Sequence, residues 1–440
     1  MLEQADLAIK TLGACRIDSP LAPLLASRHQ SIHYVEESDR VIFDDTASAM
    51  QSRARPPAEL PGFEPAGPRR RIFFDPSKTR AAVVTCGGLC PGLNDVIRAL
   101  VLELTRAYGI RNVYGFCNGY QGFIAKFGRA VLELNRQLVG DINEHGGSIL
   151  GSSRGQQDPV EIVDCLERMG VNMLFVIGGD GTIRGAMSIA AEIAQRGLKI
   201  AVIGIPKTID NDIMYIEQSF GFQTAFSEAT RYIRAVHVEA LGVPNGVGLV
   251  KLMGRHSGFI ACYASLAMSD ANFVLIPEVP FSLTGENGLF NVLRKRLEQR
   301  AHAVIVVAEG AGQELIESNG NHTDASGNRK LGDIGLCLRD KISAHFASIP
   351  MEINLKYIDP SYAIRSVPAN PHDSVYCIRL AHAAAHAAMS GRTEMIVGRW
   401  HGRFVHVPMT LAIRERYKVD PSGDLWMAVL EATGQPPQFK

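Results

Sequence analysis

The sequence has 440 residues, 46% hydrophobic and 20% charged, which is chain enough for two or three domains and a large core. Its 45 basic and 45 acidic side chains cancel, so nothing in the charge points to nucleic acid or an anionic membrane as partner. No stretch approaches the roughly eighteen uncharged apolar residues of a membrane span, and the start, MLEQADLAIK, carries acids and reads as no signal peptide. The cysteines are scattered, mostly in apolar segments as at Cys86, Cys262, Cys337 and Cys377. With no zinc spacing and no disulfide framework, that is the usage of a reducing cytosol.

In chain order, residues 1 to about 75 form an extension with weak periodicity. It ends in a proline-rich basic connector of Pro56, Pro57, Pro61, Pro65, Pro68 and Arg69 to Arg71, and is expected to wrap the main body. From Arg80 the pattern is regular. Strands are expected at Ala81–Cys86, Asn112–Phe116, Met173–Ile177, Ile200–Ile205, Val247–Met253, Phe273–Ile276, Ala303–Ala308 and Met351–Tyr357. Helical patterns fall between them, at Leu93–Tyr108, Val160–Met169, Ile183–Gln195, Phe222–Val238, Gly258–Met268, Gly288–Arg300 and Ile334–Phe346. This alternation predicts a largely parallel, doubly wound α/β architecture, and the number of strands predicts two sheets. The segment from Gly310 to Gly332 is polar and turn-rich, and reads as a surface insert. Val375–Met389 reads as a closely packed helix, with His382 and His386 as packing or solvent-edge residues.

The chemistry gathers at strand ends. AVIGIPKTIDND, Ala201 to Asp212, is a short apolar run stopped by Pro206 and followed by Lys207, Thr208, Asp210, Asn211 and Asp212. Ligands of open α/β sheets sit outside the carboxyl ends of strands; the plain alternative is a polar turn capping the next helix. GGLCPG, from Gly87, lets backbone amides approach an anion at a helix amino terminus, or is simply a tight turn. Gly178-Gly179-Asp180-Gly181-Thr182 adds one carboxylate to such a loop, as a metal–nucleotide complex requires. Arg154 and Gly155 lie in a small-residue turn from which the arginine could reach a phosphate, and an exposed arginine with no role is the plain alternative. Met253-Gly254-Arg255 puts a guanidinium on a glycine turn at a strand end, suited to a phosphoryl group in flight, and a surface ion pair is its plain alternative. Glu309 closes another strand, and Tyr362 and Arg365 sit on a loop beyond Met351–Ile358.

TCGGLCPGLNDVIR, GGDGT, PKTIDND, KLMGRHSGF and KYIDPSYAIR, in this order, resemble the signature segments of the phosphofructokinases. The resemblance covers roughly residues 72 to 410 and is strongest to the long ATP-using enzymes of plants and kinetoplastids, which lie near the pyrophosphate-dependent branch. It implies two Rossmann-like doubly wound α/β domains plus the amino-terminal extension. Residues 76–236 with 372–440 would bind nucleotide, 237–371 would bind sugar phosphate, and 1–75 would be extension and linker. It further implies a cytoplasmic, glycolytic, allosteric Mg²⁺-dependent kinase acting on ATP and fructose 6-phosphate, with a homo-tetramer or dimer as the assembly.

On that resemblance Asp210 is the general base for the sugar 1-hydroxyl, with Thr208 and Ile209 beside the substrate. Asp180 and Asp212 serve Mg²⁺. Gly88, Arg154, Gly155, Gly179, Asp180, Gly181 and Thr182 line the nucleotide site. Met253, Gly254, Arg255, Glu309, Tyr362 and Arg365 bind fructose 6-phosphate, and Arg255 also steadies the transferring phosphoryl group. Gly181 marks ATP as donor, because a second aspartate there would obstruct the α-phosphate. Lys207 is shared with pyrophosphate users, but the long ATP-using enzymes combine this glycine with this lysine. Two alternatives stand beside this reading: a pyrophosphate-dependent enzyme and a catalytically silent regulatory subunit. The sequence departs from the short bacterial enzymes at Gly246, where those carry an arginine that reaches a neighbouring subunit's sugar-phosphate site.

Overall fold

The computed structural model describes residues 3–26, 33–48, 60–316 and 330–440. The chain divides into two compact units, the first Met1–Thr208, Ile213–Gly221 and Val367–Glu415, the second Ile209–Asp212, Phe222–Ser366 and Arg416–Lys440.

The first unit is built on a nine-stranded sheet in the order Val41–Ile42, Gly62–Pro65, Arg403–Pro408, Met395–Trp400, Ala201–Pro206, Met173–Gly178, Arg80–Thr85, Asn112–Phe116, Val131–Glu133. The five strands from Met395–Trp400 to Asn112–Phe116 pair in parallel, with Ala201 opposite Met173 and Pro206 opposite Gly178. Met173–Gly178 and Ala201–Pro206 are continuous apolar runs because both faces are covered. Alternate residues Ala82, Val84, Leu174, Val176 and Val202 join one core with the helices Pro159–Arg168 and Asp180–Gln195. Helix Pro371–Met389 packs against Ala201–Pro206 and Leu93–Leu102. The carboxyl ends of Arg80–Thr85, Met173–Gly178 and Ala201–Pro206 therefore lie side by side.

Several boundaries differ from expectation. The helix expected from Ile183 begins at Asp180, so Asp180, Gly181 and Thr182 form its first turn instead of a preceding loop. The expected helix Leu93–Tyr108 ends its α-turns at Leu102 and continues as a π-turn over Glu103–Ala107, where the Thr105 hydroxyl donates to the Val101 carbonyl at 2.8 Å. His386 is partly buried and shares a 2.7 Å hydrogen bond with the Tyr108 hydroxyl, while His382 lies 3.6 Å from Glu103. Residues 317–329 of the expected insert, and Pro56 and Pro57 of the connector, lie outside the described residues.

The amino-terminal extension is woven into this unit. Lys10–Thr11 pairs antiparallel with Arg392–Thr393, and Gly62–Pro65 with Arg403–Pro408. A buried charge cluster ties the same segments together. Glu64 accepts from Arg69 at 2.8 Å, Arg392 at 2.9 Å and His406 Nδ1 at 3.1 Å. Burial works to raise the Glu64 pKa, but these three donors outweigh it and hold the carboxyl down at about 2. The stability this contributes is complete above the ordinary glutamate pKa and is lost as pH falls toward about 2. Glu64→Gln is expected to lower stability at neutral pH by about 2–3 kcal/mol and to flatten the loss below pH ~4.5, as denaturant unfolding at stepped pH will show.

The second unit carries a four-stranded parallel sheet in the order Phe273–Leu275, His302–Ala308, Gly246–Leu252, Asn354–Ile358. Phe222–Leu241 and Phe259–Met268 contribute to one core, which also takes Trp426 and Val429 of the helix Asp424–Thr433. Leu289–Arg300 and Ile334–Ala347 contribute to the other. This is the doubly wound α/β arrangement read from the sequence, except that the last strand starts at Asn354, after the Met351–Ile353 portion of the expected run. Gly246 opens its strand with the Ala240 carbonyl 2.1 Å from where a Cβ would stand, so no side chain fits there. Packing thus requires glycine at this position.

Candidate active site

In the first unit the sequence motifs meet at the carboxyl edge of the sheet. The Gly87 amide donates to the Ser153 carbonyl at 3.0 Å, and the Ser152 hydroxyl to the Gly87 carbonyl at 2.6 Å. These bonds hold the Ser152–Gly155 turn, with exposed Arg154 on it, against the glycine turn that contains Gly88. Lys207 is buried and donates from Nζ to the Gly88 carbonyl at 2.6 Å. It therefore supports the glycine turn from beneath. Its backbone amide continues the sheet onto the Gly178 carbonyl at 3.0 Å, next to Gly179. Thr182 is buried with its carbonyl taken by the Tyr120 hydroxyl at 2.7 Å, whereas Gly181 is exposed. Amide-rich turns, a helix amino terminus and the Asp180 carboxylate at that terminus suit a nucleotide with its metal. Thr208 is anchored here by its amide, 2.9 Å from the Ser219 hydroxyl.

The second unit holds Asp210, Asp212 and Glu309 together with Arg255 and Arg365. Residues Ile209–Asp212 run without regular structure, with Asn211 at φ 57°. The Arg255 amide donates to Asp210 Oδ2 at 3.1 Å, and the Ser257 hydroxyl to the Asp210 carbonyl at 2.9 Å. Gly254 has φ 127° and would carry a Cβ 2.5 Å from the Ser257 carbonyl, so only glycine makes this turn. Met253 before it is buried in the core. The Glu309 amide donates to the Leu252 carbonyl at 2.9 Å and the Gly310 amide to that of Gly254 at 3.0 Å, which draws Glu309 beside Arg255. On the third strand end, Tyr362 is 81% exposed with the Arg365 guanidinium 4.9 Å over its ring. Arg365 Nε is buried with no hydrogen-bond partner among the described residues, as a group that awaits an anion would be.

Electrostatics single out Asp210. Burial, with Asp212 and Glu309 nearby, pushes its pKa up to about 7 against the opposing pull of Arg255. A carboxylate tuned so is suited to take a proton from a hydroxyl. Burial also raises Glu309. His256 is pulled down to about 4 by burial and by Arg416, so the group after Arg255 is neutral at working pH.

Three participants were not read from the sequence. Lys251, buried near the carboxyl end of Gly246–Leu252, bridges Asp333 and Asp359, each at 2.8 Å. Asp359 in turn accepts from the Ser361 amide at 3.0 Å, fixing the start of the short helix Ser361–Arg365, which bears Tyr362 and Arg365 where a loop was expected from the sequence. A lysine inside the apolar run GVGLVKLM was the readable signal, since a buried ammonium must find acids. Arg416 pairs with Asp212 at 2.5 Å, and Glu278 accepts from the Gly258 amide at 3.0 Å; neither stands in a motif.

Residues 80–388 match the family model described as Phosphofructokinase. The chain is 56% identical over 440 residues to the "ATP-dependent 6-phosphofructokinase" of Amycolatopsis methanolica, covering 99% of this chain and 96% of that protein. It is 50% identical to "ATP-dependent 6-phosphofructokinase 7" of Arabidopsis thaliana, covering 85% of this chain and 77% of that one. The pyrophosphate-dependent phosphofructokinase of Marinobacter aquaeolei shares the fold, with a TM-score of 0.66 at 17% identity over 81% of this chain and 91% of that one. The matched span contains every signature segment quoted above, together with the strand ends that carry them, and the chain belongs to the phosphofructokinase family.

Proposed function

We propose that the chain is an ATP-dependent 6-phosphofructokinase of glycolysis, converting fructose 6-phosphate and ATP to fructose 1,6-bisphosphate and ADP. The observation that carries this is Asp210, a carboxylate with its pKa raised to about 7 and its Oδ2 held by the Arg255 amide. The relatives named for this activity match nearly the whole chain. In the reaction the sugar 1-hydroxyl oxygen attacks the γ-phosphorus while its proton passes to Asp210, and the bond to the bridging oxygen of ADP breaks. Arg255 stabilises the charge on the transferring group, and Glu309, Tyr362 and Arg365 hold the sugar phosphate. Thr208 and Ile209 border the substrate, and Gly88, Arg154, Gly155 and Gly179 to Thr182 receive the nucleotide.

Asp180 and Asp212 are the acids for Mg²⁺, and the fit is one of donor chemistry: hard carboxylate oxygens, one or two of which suffice when phosphates complete the shell. Bound Mg²⁺ neutralises phosphate charge. We assign the protein to the cytoplasm and expect a homo-tetramer or dimer; no helix among the described residues is long and apolar enough to cross a membrane.

Lys207 favours one second reading, pyrophosphate as donor. An assay offering ATP and pyrophosphate in parallel tests both: turnover with ATP supports the proposal, and high turnover with pyrophosphate alone overturns it. A purified chain with no turnover on either donor would instead mark a silent regulatory subunit. Lys251→Met is expected to raise the KM for fructose 6-phosphate about tenfold with a smaller effect on kcat. Two carboxylates lose a charged hydrogen bond worth about 1.5–3 kcal/mol, and the short helix of Tyr362 and Arg365 loses its anchor. Steady-state kinetics check this.

A further inference from the structure

We infer that Arg416 is a positioning residue for catalysis, clamping Asp212 through its side chain while the backbone that follows it braces the acid loop. This rests on the reading of Asp210 and Asp212 as working acids. Ile209–Asp212 is a segment of the second unit without regular structure, so its geometry depends on what grips it.

Asp210 and Asp212 are gripped by two different segments. Asp210 is held by the turn after Gly246–Leu252, through the Arg255 amide at 3.1 Å and the Ser257 hydroxyl at 2.9 Å. Asp212 is held by the carboxyl-terminal segment, through Arg416 Nη1 on Oδ2 at 2.5 Å and the Tyr417 amide on its carbonyl at 3.0 Å. That segment also steadies the Arg255 turn. The Tyr417 ring stacks on Phe259 with centroids 4.8 Å apart, and Glu278 Oε1 accepts from both the Gly258 amide at 3.0 Å and the Val419 amide at 2.9 Å.

Asp212 is 4% exposed, so its side chain is held by its partners and not by water. A guanidinium supplies charge and direction together. Without it the carboxylate loses the charged partner that fixes the direction of Oδ2. Arg416 itself need touch no substrate; its effect passes through Asp212.

The test compares wild type, Arg416→Gln and Arg416→Lys as full-length protein. Arg416→Gln is expected to lower kcat about 10- to 100-fold with little change in KM for fructose 6-phosphate, the range for loss of a residue that orients a ligating group. Arg416→Lys should recover most of it, because the charge is restored without the fork. A readout independent of activity is hydrogen–deuterium exchange of the peptide spanning residues 209–213. Exchange should quicken in the glutamine variant, return toward wild type in the lysine variant, and be accompanied by an unchanged melting temperature. Unaltered exchange in Arg416→Gln overturns the inference whatever the activity, as does a kcat loss that follows a fall in melting temperature. Faster exchange in a protein whose wild type phosphorylates no sugar phosphate keeps the clamp and overturns the functional reading instead.

Discussion

Asp210→Asn is expected to lower kcat by about 10²- to 10⁴-fold while fructose 6-phosphate still binds. The amide is isosteric with the carboxylate, so its oxygen can still receive the Arg255 N–H that lies 3.1 Å from Oδ2. The Ser257 hydroxyl bond goes to the Asp210 backbone carbonyl and is untouched by the exchange. What disappears is the ability to accept a proton, for which burial and the neighbouring Asp212 and Glu309 have tuned the acid. Removing that negative charge also relieves repulsion against an incoming phosphate, so binding should hold or tighten. Steady-state kinetics with calorimetric titration of the sugar phosphate separate the two effects. A kcat within a few-fold of wild type would mean that another group takes the proton. Lost binding with it would mean that Asp210 grips the sugar more than it works on it.

Between Arg80 and Ile358 the fold was most legible where strands are buried on both faces and are written as apolar runs. Met173–Gly178 and Ala201–Pro206 came within a residue of the reading for that reason. The strands Gly62–Pro65, Met395–Trp400 and Arg403–Pro408 were missed. Gly62–Pro65 is four residues long and has meaning only through a partner far along the chain, a relation no local period records. The hairpin between the last two did leave a mark, since His401 and Gly402 both take the positive φ that its tight turn demands. Glu64, Arg69, Arg392 and His406 look like ordinary surface residues until the extension folds onto the sheet.

At the site, the legible residues are those whose neighbours are glycines, because a turn that tolerates only glycine advertises close approach. Gly254 is the clearest case, with positive φ and no room for a Cβ. Lys207 shows the limit: its position was legible, but its use as a prop under Gly88 depends on a turn more than a hundred residues earlier. Arg416 carries no local mark, and only the folded second unit presents it to Asp212.

Gly181→Asp is expected to reduce kcat/KM for ATP by on the order of 10²-fold or more. The glycine has no structural excuse. It sits in the first turn of the helix Asp180–Gln195, and a Cβ built there meets nothing within 4 Å. Glycine in a helix costs roughly 0.5–1 kcal/mol relative to alanine, so a residue retained at that cost with open space beside it points to a ligand that fills the space. Aspartate in a first helical turn is electrostatically welcome, so the variant should fold at least as well as wild type. A carboxylate about 5 Å from a phosphate, at an effective dielectric of about 20, repels it by about 3 kcal/mol, the origin of the expected loss. Gly181→Ala separates volume from charge and should cost ATP use far less. Pyrophosphate, with no α-phosphate to obstruct, should be affected less than ATP if it is used at all. Unchanged ATP kinetics in Gly181→Asp would show that Gly181 lies away from the nucleotide, and the choice of ATP over pyrophosphate would then have to rest on other residues.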